Sequence, residues 1–221
     1  MSYDSVVDAL GDNPEYGTTR RVTLPKSKYL ARLVVNAFDV TPGGTPYVEL
    51  LAHIAEGPFA GQEPRSRVYI TPGGPDSKGG HIAFVNAATK RVTGKQPDMS
   101  ALADIGADLP ERGEFPGGDE GDGEYRQAIR FAVRDAFVAL APDARASWAM
   151  KYARLREWDG KLTVVSLDVE YSEDKTKSYN RIQGFYATND PKYGVEHVRK
   201  VCHPEQQKAA EEMAHAEVAG A

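Results

Sequence analysis

Two stretches of alternating polar and apolar residues bracket a middle with helical spacing. Tyr29–Val40 is rich in β-branched and aromatic residues and predicts a strand. Thr41-Pro42-Gly43-Gly44 predicts a turn, because proline presets φ and glycine permits a positive one. Over Pro46–Glu56 the side chains of Val48, Leu50, Ala52 and Ile54 share one face, and Tyr47, Glu49, Leu51 and His53 the other. After a turn at Glu56–Gln62, the segment Arg65–Thr71 alternates again, with Val68 and Ile70 opposite Arg65, Arg67 and Tyr69. In the middle, Ile82, Val85, Thr89 and Val92 recur at helical spacing, and a shorter helix is expected around Asp98–Ala107. Gly113–Gly123, acidic and without periodicity, reads as a mobile loop. Tyr125, Ile129, Ala132, Val133, Ala136, Phe137 and Leu140 form one apolar stripe, and Pro142 opens a further helix with Trp148, Tyr152 and Leu155 on its buried side. Leu162–Tyr171 and Tyr179–Ala187 then alternate across a polar hairpin at Ser172–Lys177. In the latter, Tyr179, Arg181, Gln183 and Phe185 oppose Asn180, Ile182, Gly184 and Tyr186, and the pattern alone leaves the inner face open. Beyond Pro204 an Ala/Glu-rich segment can be helical, with too little apolar surface to belong to a core.

Five short strands interrupted by helices predict a mainly β protein with α elements: a five-stranded OB-type barrel carrying a large helical insertion between the third and fourth strands. The expected organisation is an acidic N-terminal segment at 1–19, a barrel domain over 20–190 with the insertion at about 80–158, and a partly helical tail at 191–221. The 221 residues are 41% hydrophobic and 27% charged, as expected of a soluble globular protein able to bury a core. No apolar run approaches the roughly 18 residues of a membrane span. Met1–Leu10 carries no Lys or Arg, so no secretory or mitochondrial leader is expected, and the single cysteine, Cys202, fits a reducing, cytoplasmic setting.

The net charge of −5 argues against coating a polyanion through bulk basicity, but it hides segregation. Residues 20–95 carry 11 basic and five acidic side chains, whereas 96–124 hold nine acids against Arg112. Such a split can present a positive local field.

The runs Leu24-Pro25, Tyr29-Leu30-Ala31-Arg32-Leu33, Gly44-Thr45-Pro46-Tyr47-Val48-Glu49-Leu50 and Glu56-Gly57-Pro58-Phe59-Ala60-Gly61 resemble the opening of phage-encoded single-stranded DNA-binding proteins. Trp158-Asp159-Gly160-Lys161 and Tyr179-Asn180-Arg181-Ile182 resemble the closing hairpin of that family. The similarity covers residues 24–71 and 158–188. It implies a small OB-fold protein of phage replication or recombination that protects single strands in the host cytoplasm, with a recombinase, helicase or polymerase of the phage as candidate partners. The chain departs from the pattern in lacking a glycine before Tyr29 and in its long insertion. It ends in Ala-Glu-Val-Ala-Gly-Ala rather than an acidic, Phe-terminated tip, so tail-mediated recruitment of host repair enzymes is not part of the expectation.

Binding a single strand needs cations that track phosphates and flat side chains on which unpaired bases stack. Alternation supplies Tyr47, Arg65, Arg67 and Tyr69 on the second and third strands, and Tyr179, Arg181 and Phe185 on the last; Lys26, Lys28 and Arg32 flank the first. Arg126, Arg130 and Arg134 form a ridge that either extends a phosphate track or is a solvated face, and the acidic loop 111–124 is a candidate gate over the positive face. Enzymatic chemistry finds little support. The Gly-rich run Thr71–Gly80 lacks the Gly-Lys-Ser/Thr of a phosphate-binding loop and reads as a flexible connection. Asp168 and Glu170 share a strand face as nuclease carboxylates would, but without a suitably spaced lysine. The histidines 53, 81, 197, 203 and 215 are scattered, and Cys202-His203 lacks a second pair for zinc. No Gly-x-Ser-x-Gly elbow occurs. The expectation is therefore a non-enzymatic binder of single-stranded DNA, without cofactor or metal. The alternative is a non-catalytic protein-interaction module of a phage replication or assembly complex, docking through residues 125–158.

Overall fold

The computed structural model describes residues 23–72 and 80–219. The acidic segment 1–19 and most of the Gly-rich connection, residues 73–79, lie outside them. Five strands, β1 (Ser27–Val40), β2 (Pro46–Ile54), β3 (Arg65–Tyr69), β4 (Leu162–Tyr171) and β5 (Ser178–Tyr186), form one antiparallel sheet in the order β3-β2-β1-β4-β5. Among the described residues, four α-helices, α1 (Gly80–Thr93), α2 (Ser100–Asp104), α3 (Gly118–Ala139) and α4 (Pro142–Tyr152), lie between β3 and β4. The protein is thus mixed α and β. β1 is central because it pairs along most of its length with β2 and through its first half with β4. No backbone ladder joins β3 to β5 among the described residues, but the Ile182 N–H donates to Ser66 Oγ at 2.9 Å, so the two edge strands lie side by side.

Period two selects the inner face. Tyr29, Ala31 and Leu33 of β1, Val48, Leu50, Ala52 and Ile54 of β2, Val68 of β3, and Val165 and Leu167 of β4 are all buried. They share one core with Val85, Ala88 and Val92 of α1, with Trp148 and Tyr152 of α4, and with Trp158. The insertion therefore shares one hydrophobic core with the sheet. Trp148 stacks on Tyr152 with ring centroids 4.9 Å apart and donates its indole N–H to the Ala101 carbonyl at 3.0 Å, which ties α4 to α2.

Strict alternation fails in β5. Leu167 pairs with Ile182 but Ser166 pairs with Gly184, so Gln183 is an extra residue, a β-bulge. One extra residue reverses the parity of the rest of the strand. Asn180 and Ile182 point inward before the bulge, and Phe185 points inward after it. A second bulge, between Val35 and Ala37 of β1, leaves Asn36 without a ladder partner.

The segment Gly113–Gly123 is not the loop its composition suggests. Residues Arg112–Glu114 make a 3₁₀ turn, and α3 already begins at Gly118. Asp119 and Glu120 sit in its first turn, where carboxylates meet the positive end of the helix dipole. Arg112 closes the structure: its Nε and Nη2 donate to Asp122 Oδ1 at 3.0 and 2.6 Å, and its Nη1 to the Phe115 and Pro116 carbonyls. These contacts are polar, so hydrophobic periodicity carries no trace of them.

The C-terminal segment differs from expectation too. It runs as α5 (Val195–His197), a π turn (Val198–Cys202) and α6 (His203–Ala219). Val198 and Cys202 bury against Leu30 and Val164 on the outer side of the sheet. Gln206, 2% exposed, donates to the Lys28 carbonyl at 2.9 Å and to Ser27 Oγ at 3.1 Å, and Ala210 and Met213 pack on the main core. A polar side chain bonded to strand backbone docks this helix, which a count of apolar residues does not register. No described helix is long and apolar enough to cross a membrane.

Candidate nucleic-acid interface

Because β1, β2 and β3 pair in register, their outward side chains form rows. Asp39, Tyr47 and Tyr69 make one row, Ala37, Glu49 and Arg67 the next, then Val34, Leu51 and Arg65, and finally Arg32 with His53. Tyr47 and Tyr69 lie with ring centroids 6.0 Å apart, and the Arg67 guanidinium sits 4.7 Å above the Tyr47 ring. Both tyrosines are half-buried. The Tyr47 hydroxyl is pushed above its ordinary range chiefly by desolvation, against which the Arg67 charge acts, so it remains a neutral ring at physiological pH.

At the centre of this face is Glu49, only 7% exposed. Its carboxylate accepts from Asn36 Nδ2 at 2.6 Å, and lies 3.3 Å from Arg65 Nη1 and 3.8 Å from Arg67 Nε. The β1 bulge puts Asn36 within reach of it. Glu49 therefore holds both guanidinium groups in place and offsets part of their charge, while roughly half of each arginine remains open to solvent.

β5 extends the face on its far side. Ser66 lies between Arg65 and Arg67, and Ile182 between Arg181 and Gln183. The Ser66–Ile182 bond thus brings the outward side chains of the two strands alongside one another. Arg181 pairs with Glu170 at 2.6 Å. Tyr179 is 49% exposed, and Tyr171, at the same end of the β4–β5 hairpin, is 64% exposed. Alternation groups Tyr171 with the core-facing residues of β4 and so hides it as a candidate; its place next to a polar turn is the available signal.

The remaining candidates are engaged at the rim of this face or away from it. Lys26 pairs with Asp168 at 3.0 Å, which holds that carboxyl below its usual range; Lys28 lies over Tyr193; and Arg32 donates to the Gly160 carbonyl at 2.8 Å. Phe185 is withdrawn from the binding face: the Gln183 bulge turns it into the core, where it is 1% exposed and packs on Trp158 and Phe84. Arg130 lines an apolar cavity of about 240 Å³ between α1, α2 and α3, and Arg134 pairs with Asp135, so the ridge on α3 is not a uniform track. The acidic stretch is tied together by Arg112, and its second half, from Gly118, belongs to α3. Asp168 and Glu170 are each matched by a cation from another element, and no group of three His, Cys, Asp or Glu side chains able to hold a metal occurs among the described residues.

No protein-family model matches this chain, and no curated protein matches it.

Proposed function

We propose that the protein binds single-stranded DNA, largely without sequence preference, on the outer face of β1, β2 and β3, and that it protects strands in phage replication or recombination. In this reading the curled five-stranded sheet is a partly open OB-type barrel with a helical insertion. The order β3-β2-β1-β4-β5, with β3 beside β5, supports that reading. The observation that carries the function is the Tyr69–Tyr47–Arg67 cluster, two tyrosine rings and a guanidinium side by side on an open strand face. Every base has a π face, so stacking on these groups is tolerant of sequence; each stacked base contributes about 1–3 kcal/mol. Arg65, Arg67 and Arg181 supply phosphate contacts, and each releases counterions from the strand. No bond is made or broken.

Fluorescence anisotropy with labelled oligo-dT and with duplex DNA, across salt concentrations, tests this. Tight single-strand binding that weakens steeply with salt, with duplex held much less, is the expected result. Absence of binding to either at low salt overturns the proposal and favours a protein-interaction module.

A further inference from the structure

Four cations on or beside the strand face are already matched by acids: Lys26 by Asp168, Arg65 and Arg67 by Glu49, and Arg181 by Glu170. Away from that face lies a group of three cations that form no ion pair among the described residues. Lys28 Nζ sits 4.5 Å from the centroid of the Tyr193 ring and Lys192 Nζ 5.0 Å from it, while the Arg91 guanidinium lies 5.3 Å from the Tyr186 ring. The two rings meet edge to face at 4.9 Å. None of the three cations pairs with a carboxylate among the described residues; Arg91 donates instead to the Phe185 carbonyl at 3.1 Å. The cations here are seated on rings, which stabilise a cation without cancelling it, and the one nearby acid, Asp190, acts on Arg91 and Lys192 without pairing with them.

The platform is rigid. Asp190 Oδ1 accepts the backbone N–H groups of Lys192 and Tyr193, both at 2.9 Å, and the Gly194 N–H donates to the Asp190 carbonyl. At Gly194 any Cβ would lie 2.5 Å from that carbonyl oxygen, so only glycine closes the turn. Asp190 is the acid of this turn; its carboxyl is held below the ordinary range first by the backbone N–H groups of Tyr193 and Lys192 and then by the charges of Arg91 and Lys192, so it offsets part of the patch's charge without forming an ion pair. Three elements meet here: the first half of β1, the last turn of α1, and the turn after β5.

We infer that Lys28, Arg91 and Lys192, carried on Tyr186 and Tyr193, form a second contact for the phosphates of a single strand, and that this patch supplies more of the salt-sensitive binding than the face containing Glu49. The inference rests on the single-strand reading proposed above. An ammonium group has three donors, so one lying over a ring keeps others for a phosphate oxygen. An arginine held by Glu49 must share or exchange its partner to do the same.

The test is the salt dependence of oligo-dT binding by anisotropy. K28Q/K192Q removes two contacts and is expected to lower the slope of log affinity against log salt by about 1.4, taking roughly 0.7 per contact for a single strand. R65Q/R67Q is expected to lower it by less. K192E, at an exposed position, should by itself weaken binding at least threefold, while K208E on α6, which changes the net charge by the same amount, leaves it nearly unchanged. An unchanged slope in K28Q/K192Q with binding retained overturns the second contact and leaves the β-face proposal standing. So does an equal loss from K208E and K192E. Failure of the unmodified protein to bind oligo-dT at low salt overturns both.

Discussion

Replacing Phe185 by alanine separates two incompatible places for one side chain. With unbroken alternation along β5, Phe185 would share the outer face with Tyr179 and Arg181; with the extra residue at Gln183, it belongs to the core. Its ring meets Trp158 at 5.3 Å and Phe84 at 5.8 Å, both with strongly inclined planes. A buried aromatic removes roughly 150 Å² or more from water, which at about 25 cal/mol per Å² is about 4 kcal/mol. Phe-to-Ala changes in well-packed cores cost about 3–5 kcal/mol. For a chain of this size that is a fall in Tm of about 6–20 °C. Urea titration followed by tryptophan fluorescence is a suitable assay, because Trp158 is buried against this ring and Trp148 is buried in the same core. Phe185→Leu, which keeps most of the volume, should lose less and keeps the comparison available if the alanine variant does not fold. A loss of stability below about 1 kcal/mol in Phe185→Ala, together with weaker oligonucleotide binding, would refute the bulge as the cause of burial.

Other variants probe the same geometry. Glu49→Gln removes the charge shared by Arg65 and Arg67, so oligo-dT affinity should rise and its salt slope should steepen by up to about 1.4; weaker binding with an unchanged slope would contradict the offsetting role of Glu49. Gly121→Ala would ordinarily favour a helix by about 1 kcal/mol, yet a Cβ there would lie 1.9 Å from the Pro116 carbonyl oxygen. Thermal melting should therefore show a lower Tm, and a higher one would mean that the Arg112–Pro116 turn is not seated on α3. Glu56 accepts hydrogen bonds from Arg199, and these hold its carboxyl below the usual range. A carboxyl with a depressed folded pKa contributes stability above its unfolded pKa, about 4.5, and loses it as pH falls through the folded value. The protection of Val198–Gln206 against hydrogen exchange, corrected for the intrinsic rate at each pH, should accordingly fall below about pH 4.5, by no more than about 1 kcal/mol for a partly exposed pair, and Glu56→Gln should abolish that dependence.

The legible and the illegible divide along physical lines. Five strands, the helix at Gly80–Thr93, the stripe of α3 and the proline that opens α4 follow from periodicity, because a half-buried element must put apolar side chains on one face. The same pattern correctly assigned the outward sides of β2 and β3, and hence the grouping of Tyr47, Arg65, Arg67 and Tyr69. It misplaced Phe185 because a bulge costs one residue and leaves no mark in composition. It passed over the start of α3 because that turn is held by Arg112 rather than by apolar packing.

Charge partnership was equally hidden. Glu49 lies 16 and 18 residues before Arg65 and Arg67, and Lys28, Arg91 and Lys192 come from three distant stretches. Only strand register and helix docking decide which cations meet an acid and which meet a ring. The amino-acid sequence by itself determined which segments become strands or helices and which side of each strand is apolar, since those are local consequences of spacing. The tertiary structure decided strand order, the parity of β5, the docking of the C-terminal helix through Gln206, and the sorting of neutralised from open positive charge. Those depend on contacts between residues far apart in the chain, and such contacts exist only once the core has closed.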